Sequence, residues 1–335
     1  MPQRSLTTPL SIAALSFTFT SIAFAFQTAG PIDPITTLRP SPNILESEAP
    51  RAHLRIDASL VLIPVQVSTG LGAPVTYLAK EDFHILEDGV EQTITHFAQD
   101  DAPISIGVVF DSSGSMHNKM HKSLEAASTF FKTANPEDEF FLVDFNERAK
   151  LAVGFTPDSG ELYRRISHTR PFGRTSLFDA IDLAVRQMKK AKNARKAIVI
   201  LSDGGDNRSR MTFQSIKNLM QESDVQMYSM GIFDEAPDGN ASPKRPREEQ
   251  EGPRLLDELT ELTGGRNYRI ENLDDLPAIS ARIGAQLRNQ YVIGYTPSNV
   301  DHDGKYRRVK LSVTGSGEMP LRVQYRTGYY APSEP

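Results

Sequence analysis

Cysteine is missing altogether from the 335 residues. That excludes disulfides, thiolate metal sites and cysteine nucleophiles, yet it is compatible with any redox compartment and so does not locate the protein. Charge of one sign is also scarce in net terms. A formal charge of -5 is too mild to argue for nucleic acid or for an anionic membrane surface as partner. No Gly-rich phosphate loop is present. Histidines are few, and His53, His84, His96, His168 and His302 are too scattered to suggest a site. Beyond the N-terminal residues no segment reads as transmembrane. What remains is ordinary for a globular chain, with 39% hydrophobic and 24% charged residues. The length leaves room for one large domain plus a smaller one around a substantial core.

The richest segment is Ile104–Met116, ISIGVVFDSSGSM. An apolar, β-branched run suited to a fully buried parallel strand stops at Asp111-Ser112-Ser113-Gly114-Ser115. Asp111, Ser113 and Ser115 fall at alternate positions, and the glycine lets the backbone turn. In an open α/β sheet, ligands bind where loops leave the carboxyl ends of strands. A hard divalent cation wants an octahedron of oxygens and keeps some of its waters, so a carboxylate and two hydroxyls on one tight loop supply half of such a shell. Candidates for the rest lie downstream. A second buried-strand run, Lys196–Leu201, ends in Ser202-Asp203-Gly204-Gly205-Asp206, and Gly173–Ala180 leads a loop through Thr175 into an amphipathic helix. The bland alternative, a polar loop and helix cap, suits Ser and Asp anyway but does not explain three concordant loops.

At these residues the chain resembles the von Willebrand factor A (vWA) domain with its metal-ion-dependent adhesion site. That pattern is Asp-x-Ser-x-Ser after the first strand, a Thr in the second loop and an Asp ending the fourth strand. The resemblance implies that Asp111, Ser113, Ser115, Thr175 and Asp203 hold Mg²⁺ (or Mn²⁺/Ca²⁺), with the aspartates often acting through water. Asp179 and Asp206 lie nearby and read as a hydrogen-bonding residue at a helix start and a loop cap. The flanks Glu81–Phe97 (EDFHILEDGVEQTITHF) and Gln290–Pro297 (QYVIGYTP) are similar to a VWFA-related family described largely from acidobacteria. That similarity runs from about Ser59 to Tyr330.

The N-terminus supplies a location. Met1–Arg4 carries one positive charge, Leu10–Phe26 is apolar and uncharged, and Ala23-Phe24-Ala25 has small residues at signal-peptidase spacing. This predicts a signal peptide over 1–25, with an uncleaved membrane anchor as the alternative, and hence a secreted, periplasmic or cell-surface protein. No membrane insertion beyond that possible anchor is expected. Residues 26–55 read as a Pro/Thr/Ser-rich linker. Residues 56–99 form a β module in which Asp88-Gly89 signals a hairpin between Phe83–Glu87 and Thr93–Phe97, and Val75 reads as a further strand. From Ile104 strands and helices alternate, which argues for a parallel sheet, although Phe140–Phe155 connects too tightly for a parallel crossover. The predicted class is α/β: a doubly wound, mostly parallel sheet of vWA/Rossmann-like type over 100–295, with one antiparallel edge strand. The tail Gln290–Tyr330 returns to β pattern (YVIGY, RRVKLSV, LRVQYRTGYY), and residues 296–331 are assigned as strands that pack with the N-terminal module into a small β-sandwich. Glu235–Pro253 reads as a mobile surface loop.

Binding rather than catalysis is expected. A cation held mainly by neutral hydroxyls stays electron-poor and accepts an acidic group from a protein partner. The partner-binding surface itself is unknown from the sequence. An enzyme needs a base or nucleophile with an orienting partner, and only His117 and His121 follow the motif closely. Their i, i+4 spacing suits zinc but lacks a third ligand. The competing readings are a structural scaffold whose metal stabilises loops and, less favoured, a hydrolase.

Overall fold

A computed structural model describes residues 60–70, 72–99, 101–233, 247–314 and 320–333, the last-named ranges excluding the side chains of 247–250. The apolar N-terminal run, the linker and residues 234–246 lie outside the described residues. Four strands come first: β1 (Val61–Thr69), β2 (Phe83–Glu87), β3 (Val90–Gln92) and β4 (Ile94–Gln99). Then follow β5 (Ile104–Asp111), α1 (Met120–Phe131), β6 (Glu139–Phe145), β7 (Ala149–Thr156), α2 (Ser159–Ser167) and α3 (Leu177–Met188). The unit continues with β8 (Arg195–Ser202), α4 (Phe213–Glu222), β9 (Gln226–Ile232), α5 (Arg247–Leu262), β10 (Asn267–Ile270) and α6 (Leu276–Arg288). Four strands close the chain: β11 (Tyr291–Tyr295), β12 (Tyr306–Val313), β13 (Leu321–Tyr325) and β14 (Gly328–Tyr330).

The central sheet runs β10-β9-β8-β5-β6-β7, parallel except for β7, which returns antiparallel to β6. Its strands are apolar on both sides because helices cover both faces. Ile106, Val108 and Phe110 meet α1, α2 and α6, whereas Val109, Phe141 and Val143 meet α3, α4 and α5. Each such fully buried side chain contributes roughly 1.5–3 kcal/mol. Gly107 leaves the space that the Phe141 ring fills, since a Cβ there would lie 2.3 Å from it. The chain goes from β5 outward to β6, then crosses back to place β8 on the other side of β5. That reversal opens a crevice at the carboxyl ends of β5 and β8.

The flanking strands form two four-stranded antiparallel sheets, β13-β1-β11-β4 and β14-β12-β2-β3. Between them lies a core that includes Ile63, Val65, Val67, Phe83, Ile85, Tyr291, Ile293 and Leu311. Three sequence expectations are corrected here. The boundary at 295 is one: Tyr291–Tyr295 pairs with β1 and β4, as the β pattern of the tail from Gln290 suggests, so the α/β unit closes with α6. The Asp88-Gly89 hairpin does form, with φ of 47° and 87°, but its return strand is the short β3, and the following residues cross to the other sheet as β4. Val75 stands outside the named strands beside an isolated Ser68–Pro74 bridge and gives its N–H to Val67.

The sandwich core also holds an acidic side chain. Glu87, 3% exposed, accepts hydrogen bonds at Oε2 from Tyr295 and Tyr329, each at 2.8 Å. Burial first, and then the carboxylate, push both phenols up from their ordinary range. Tyr295→Phe is therefore expected to cost about 1–3 kcal/mol by leaving the carboxylate under-satisfied. Urea unfolding reads this, and an unchanged midpoint would show the bond to be dispensable.

Among the described residues no helix is long and apolar enough to cross a membrane.

Candidate functional site

The end of β5 is tied down before it turns. Ser112 donates from both its N–H and its hydroxyl to the Phe145 carbonyl, at 2.8 and 3.0 Å. Asp111 Oδ1 then accepts the Ser113 N–H at 2.8 Å, an Asx turn that swings the chain out of the strand. A single 3-10 turn follows at Gly114–Met116, and the Ser113 and Ser115 hydroxyls stand 3.1 Å apart.

The second loop is stitched onto the first. Gly114 N–H donates to the Gly173 carbonyl at 3.0 Å, and Phe172 N–H to the Ser112 carbonyl at 3.0 Å. Gly173 takes φ of 77°, and a Cβ there would lie 2.7 Å from Glu147 Cγ, so no other residue fits without a shift. Thr175, 5% exposed, is gripped by the third loop: its N–H donates to Asn207 Oδ1 at 3.1 Å. Its carbonyl accepts from the N–H groups of Asn207 and Arg208.

The third loop returns to the first through Ser202. Its hydroxyl donates to Asp111 Oδ2 at 2.6 Å and accepts the Gly204 N–H at 3.0 Å. Asp203, next in the chain, receives the Gly205 N–H at 3.4 Å. Asp179 and Asp206 act as the sequence suggests. Asp179 Oδ1 accepts from the N–H groups of Arg210 and Met211, while Asp206 Oδ1 takes the Phe178 N–H and the Ser209 hydroxyl.

The site is electrostatically stressed. Burial, and then the charge of nearby Asp203, push the Asp111 carboxyl from 3.8 up to about 7 against the opposing hydrogen bonds of Ser113 and Ser202. A pair of carboxylates in a dry crevice favours a proton or a cation between them. The local donors are all oxygens, from Asp, Ser and Thr, the set that suits a hard divalent ion. Among the described residues no group of three or more His, Cys, Asp or Glu gathers, so His117 and His121 find no third ligand of that kind.

The sequence reading therefore identifies three loops that the fold brings together at the crevice. It misses Ser202, which bridges Asp111 to the third loop, although the residue stands beside Asp203 in the quoted run. It misses Lys119, 4% exposed, whose Nζ lies 4.0 Å from Asp203 Oδ2. It also misreads Glu235–Pro253: residues from Arg247 onward are the first turns of α5. Gly252 there packs directly on Gly204, where a Cβ would come within 2.6 Å of the Gly204 carbonyl oxygen. A Pro-containing, highly charged stretch hides those first turns from composition, whereas the rest of the helix, from Arg254, is legible.

Residues 106–205 match the family described as von Willebrand factor type A domain. Curated relatives include inter-alpha-trypsin inhibitor heavy chain H2 from Sus scrofa, 29% identical over 151 residues, covering 40% of this chain and 16% of that one. The Homo sapiens protein of the same name is 26% identical over 149 residues, with the same coverage. The chain thus spans about 16% of the length of these relatives. Among solved structures, von Willebrand factor type A from Catenulispora acidiphila aligns with a TM-score of 0.47 at 14% identity, over 83% of this chain and 74% of that one. The vWF domain of the type V pili tip protein Mfa5 from Porphyromonas gingivalis aligns with a TM-score of 0.42 at 12% identity, over 55% and 95%.

Proposed function

We propose, from the match of residues 106–205 to the von Willebrand factor type A domain, that the chain is an exported, divalent-cation-dependent protein-binding module serving adhesion or envelope assembly. The supporting observation is the hydroxyl pair of Ser113 and Ser115, 3.1 Å apart, beside a buried Asp111 whose carboxyl is pushed up by burial and by Asp203. Ser113, Ser115 and Thr175 would hold Mg²⁺ or a similar ion directly. Asp111 and Asp203 would contribute charge, and Asp111 already spends both oxygens on Ser113 and Ser202, which suits contact through water. Bound there, the ion supplies an electron-poor position for a carboxylate of a partner protein. Asp179 and Asp206 keep the second and third loops in register, so the donors are preorganised before any partner arrives.

The scaffold reading, in which metal only stabilises the loops, draws support from the same stitching. A hydrolase would instead need turnover that disappears on Ser113→Ala or Ser115→Ala. Calorimetry with MgCl₂ and MnCl₂ separates these readings. Ser115→Ala and Thr175→Ala are each expected to weaken cation binding by roughly tenfold or more, and binding equal to wild type would remove the site assignment. Affinity capture from the native envelope with and without chelator then tests the partner: recovery undiminished in chelator would end the metal-dependent claim. A melting temperature lowered by chelator with no partner lost would favour the scaffold.

A further inference from the structure

Lys119 occupies a position that local rules disfavour on three counts. It stands at the N-cap of α1, where Ser, Thr, Asp or Asn would satisfy the helix amides and where the positive end of the helix dipole repels a cation. The first turn of α1 holds no acidic residue to soften that repulsion. The side chain is also buried, at 5% exposure, which a lysine tolerates only when its charge is compensated. Its ammonium is directed to the carboxyl end of the sheet. There Nζ donates to the Ile232 carbonyl at the end of β9, at 3.3 Å, and lies 4.0 Å from Asp203 Oδ2. The backbone fixes the residue's position: Lys119 N–H donates to the Met116 carbonyl, and Ser123 returns both its N–H and its hydroxyl to the Lys119 carbonyl. A residue that breaks local preference to reach such contacts invites a functional account.

We propose that Lys119 is a fixed countercharge of the cation site, neutralising Asp203 in the metal-free protein and thereby holding down the affinity for a divalent ion. This rests on the metal-binding reading of the three loops. With Lys119 in place, an incoming dication meets two carboxylates already partly compensated. Without it, the same ion meets the full negative charge of Asp111 and Asp203 in a low-dielectric crevice. Lys119 thus acts through Asp203, setting its electrostatic worth from 4.0 Å without itself contacting the ion.

The test uses the metal alone as probe, MgCl₂ and MnCl₂ by calorimetry, on the full chain. Lys119→Met is expected to bind the cation roughly tenfold or more tightly than wild type, whereas Lys119→Arg, which keeps the charge, stays close to wild type. Should Lys119→Met not fold, Lys119→Gln carries the same prediction and retains a donor for the Ile232 carbonyl. In chelator, the neutral variant should melt lower than wild type, and Mn²⁺ should restore more of its melting temperature than it adds to wild type. A purely structural lysine would lower the melting temperature equally with and without Mn²⁺ and leave affinity unchanged or weakened, and that result overturns the proposal. If wild type binds neither ion, the metal reading falls and this inference with it. If wild type binds and the neutral variant binds no tighter, the countercharge alone is refuted.

Discussion

Asp111→Asn is expected to abolish divalent-cation binding while making the metal-free protein more stable at pH 8, by on the order of 2–4 kcal/mol. The two effects have one origin. Asp111 is fully buried, and its carboxyl is pushed from 3.8 to about 7, by burial first and by Asp203 second. A carboxyl raised on folding keeps its contribution to stability below the unfolded value and loses it as pH rises through the folded one. Wild type and variant should therefore be nearly equal in stability near pH 4. The gap then opens in the variant's favour up to pH 7 and stays constant above it. The amide still offers an acceptor to the Ser113 N–H, and the Ser202 hydroxyl can rotate to accept from its NH₂. Urea unfolding in chelator at a series of pH values gives the comparison. A variant less stable than wild type at pH 8 would mean that the buried charge is compensated without metal.

The second large effect concerns the corner where the β-sandwich rests on the α/β unit. Helix α5 ends in a Schellman arrangement: Gly265 N–H reaches the Thr260 carbonyl, Gly264 N–H the Glu261 carbonyl, and Gly264 takes φ of 77°. The two glycines also admit neighbouring backbone. A Cβ on Gly265 would sit 1.9 Å from the Met227 carbonyl oxygen, and one on Gly264 would sit 2.5 Å from the Tyr325 carbonyl carbon of β13. Backbone cannot step aside as a flexible side chain does. Gly265→Ala is expected to lose about 4 kcal/mol or more, enough to leave much of the chain unfolded at 37 °C. Gly154→Ala on the edge strand β7, where a Cβ meets nothing within 4 Å, is the control and should fold normally. A thermal melt of both decides the matter, and similar midpoints would show that the corner can relax.

The readable parts of this fold are those written in local chemistry. Strands buried on both faces, such as β5 and β8, announce themselves as unbroken apolar runs, and Phe83–Glu87 coincides with β2 residue for residue. Gly264 marks a helix end because few other residues adopt its φ of 77°. The loops of the site were visible because Asp, Ser and Thr at the ends of such runs have few other reasons to be there. What stayed hidden depends on partners distant in sequence. The β pattern of Gln290–Tyr330 announces that the Tyr291 strand joins the N-terminal module, but not that it lies between β1 and β4. Composition around Glu251 speaks for a loop, yet Gly252 is buried against Gly204 and the helix is held by that contact. Lys119 looks like any surface lysine until α1 and β9 bring it to Asp203.

The residues where the chain leaves the sandwich and where it comes back are neighbours: Gln99 on β4 pairs with Tyr291 on β11, and just beyond them Arg195 donates to the carbonyls of both Ala102 and Leu287. This governs what happens during synthesis. The first four strands emerge from the ribosome with their unpaired edges waiting for partners encoded almost 200 residues later, while everything between them can collapse on its own as it appears. The waiting strands are a template for the wrong partner, another nascent copy included. Slowing translation ahead of Tyr291 should therefore lengthen that exposure and increase aggregation, and a pause placed after Tyr330 should not.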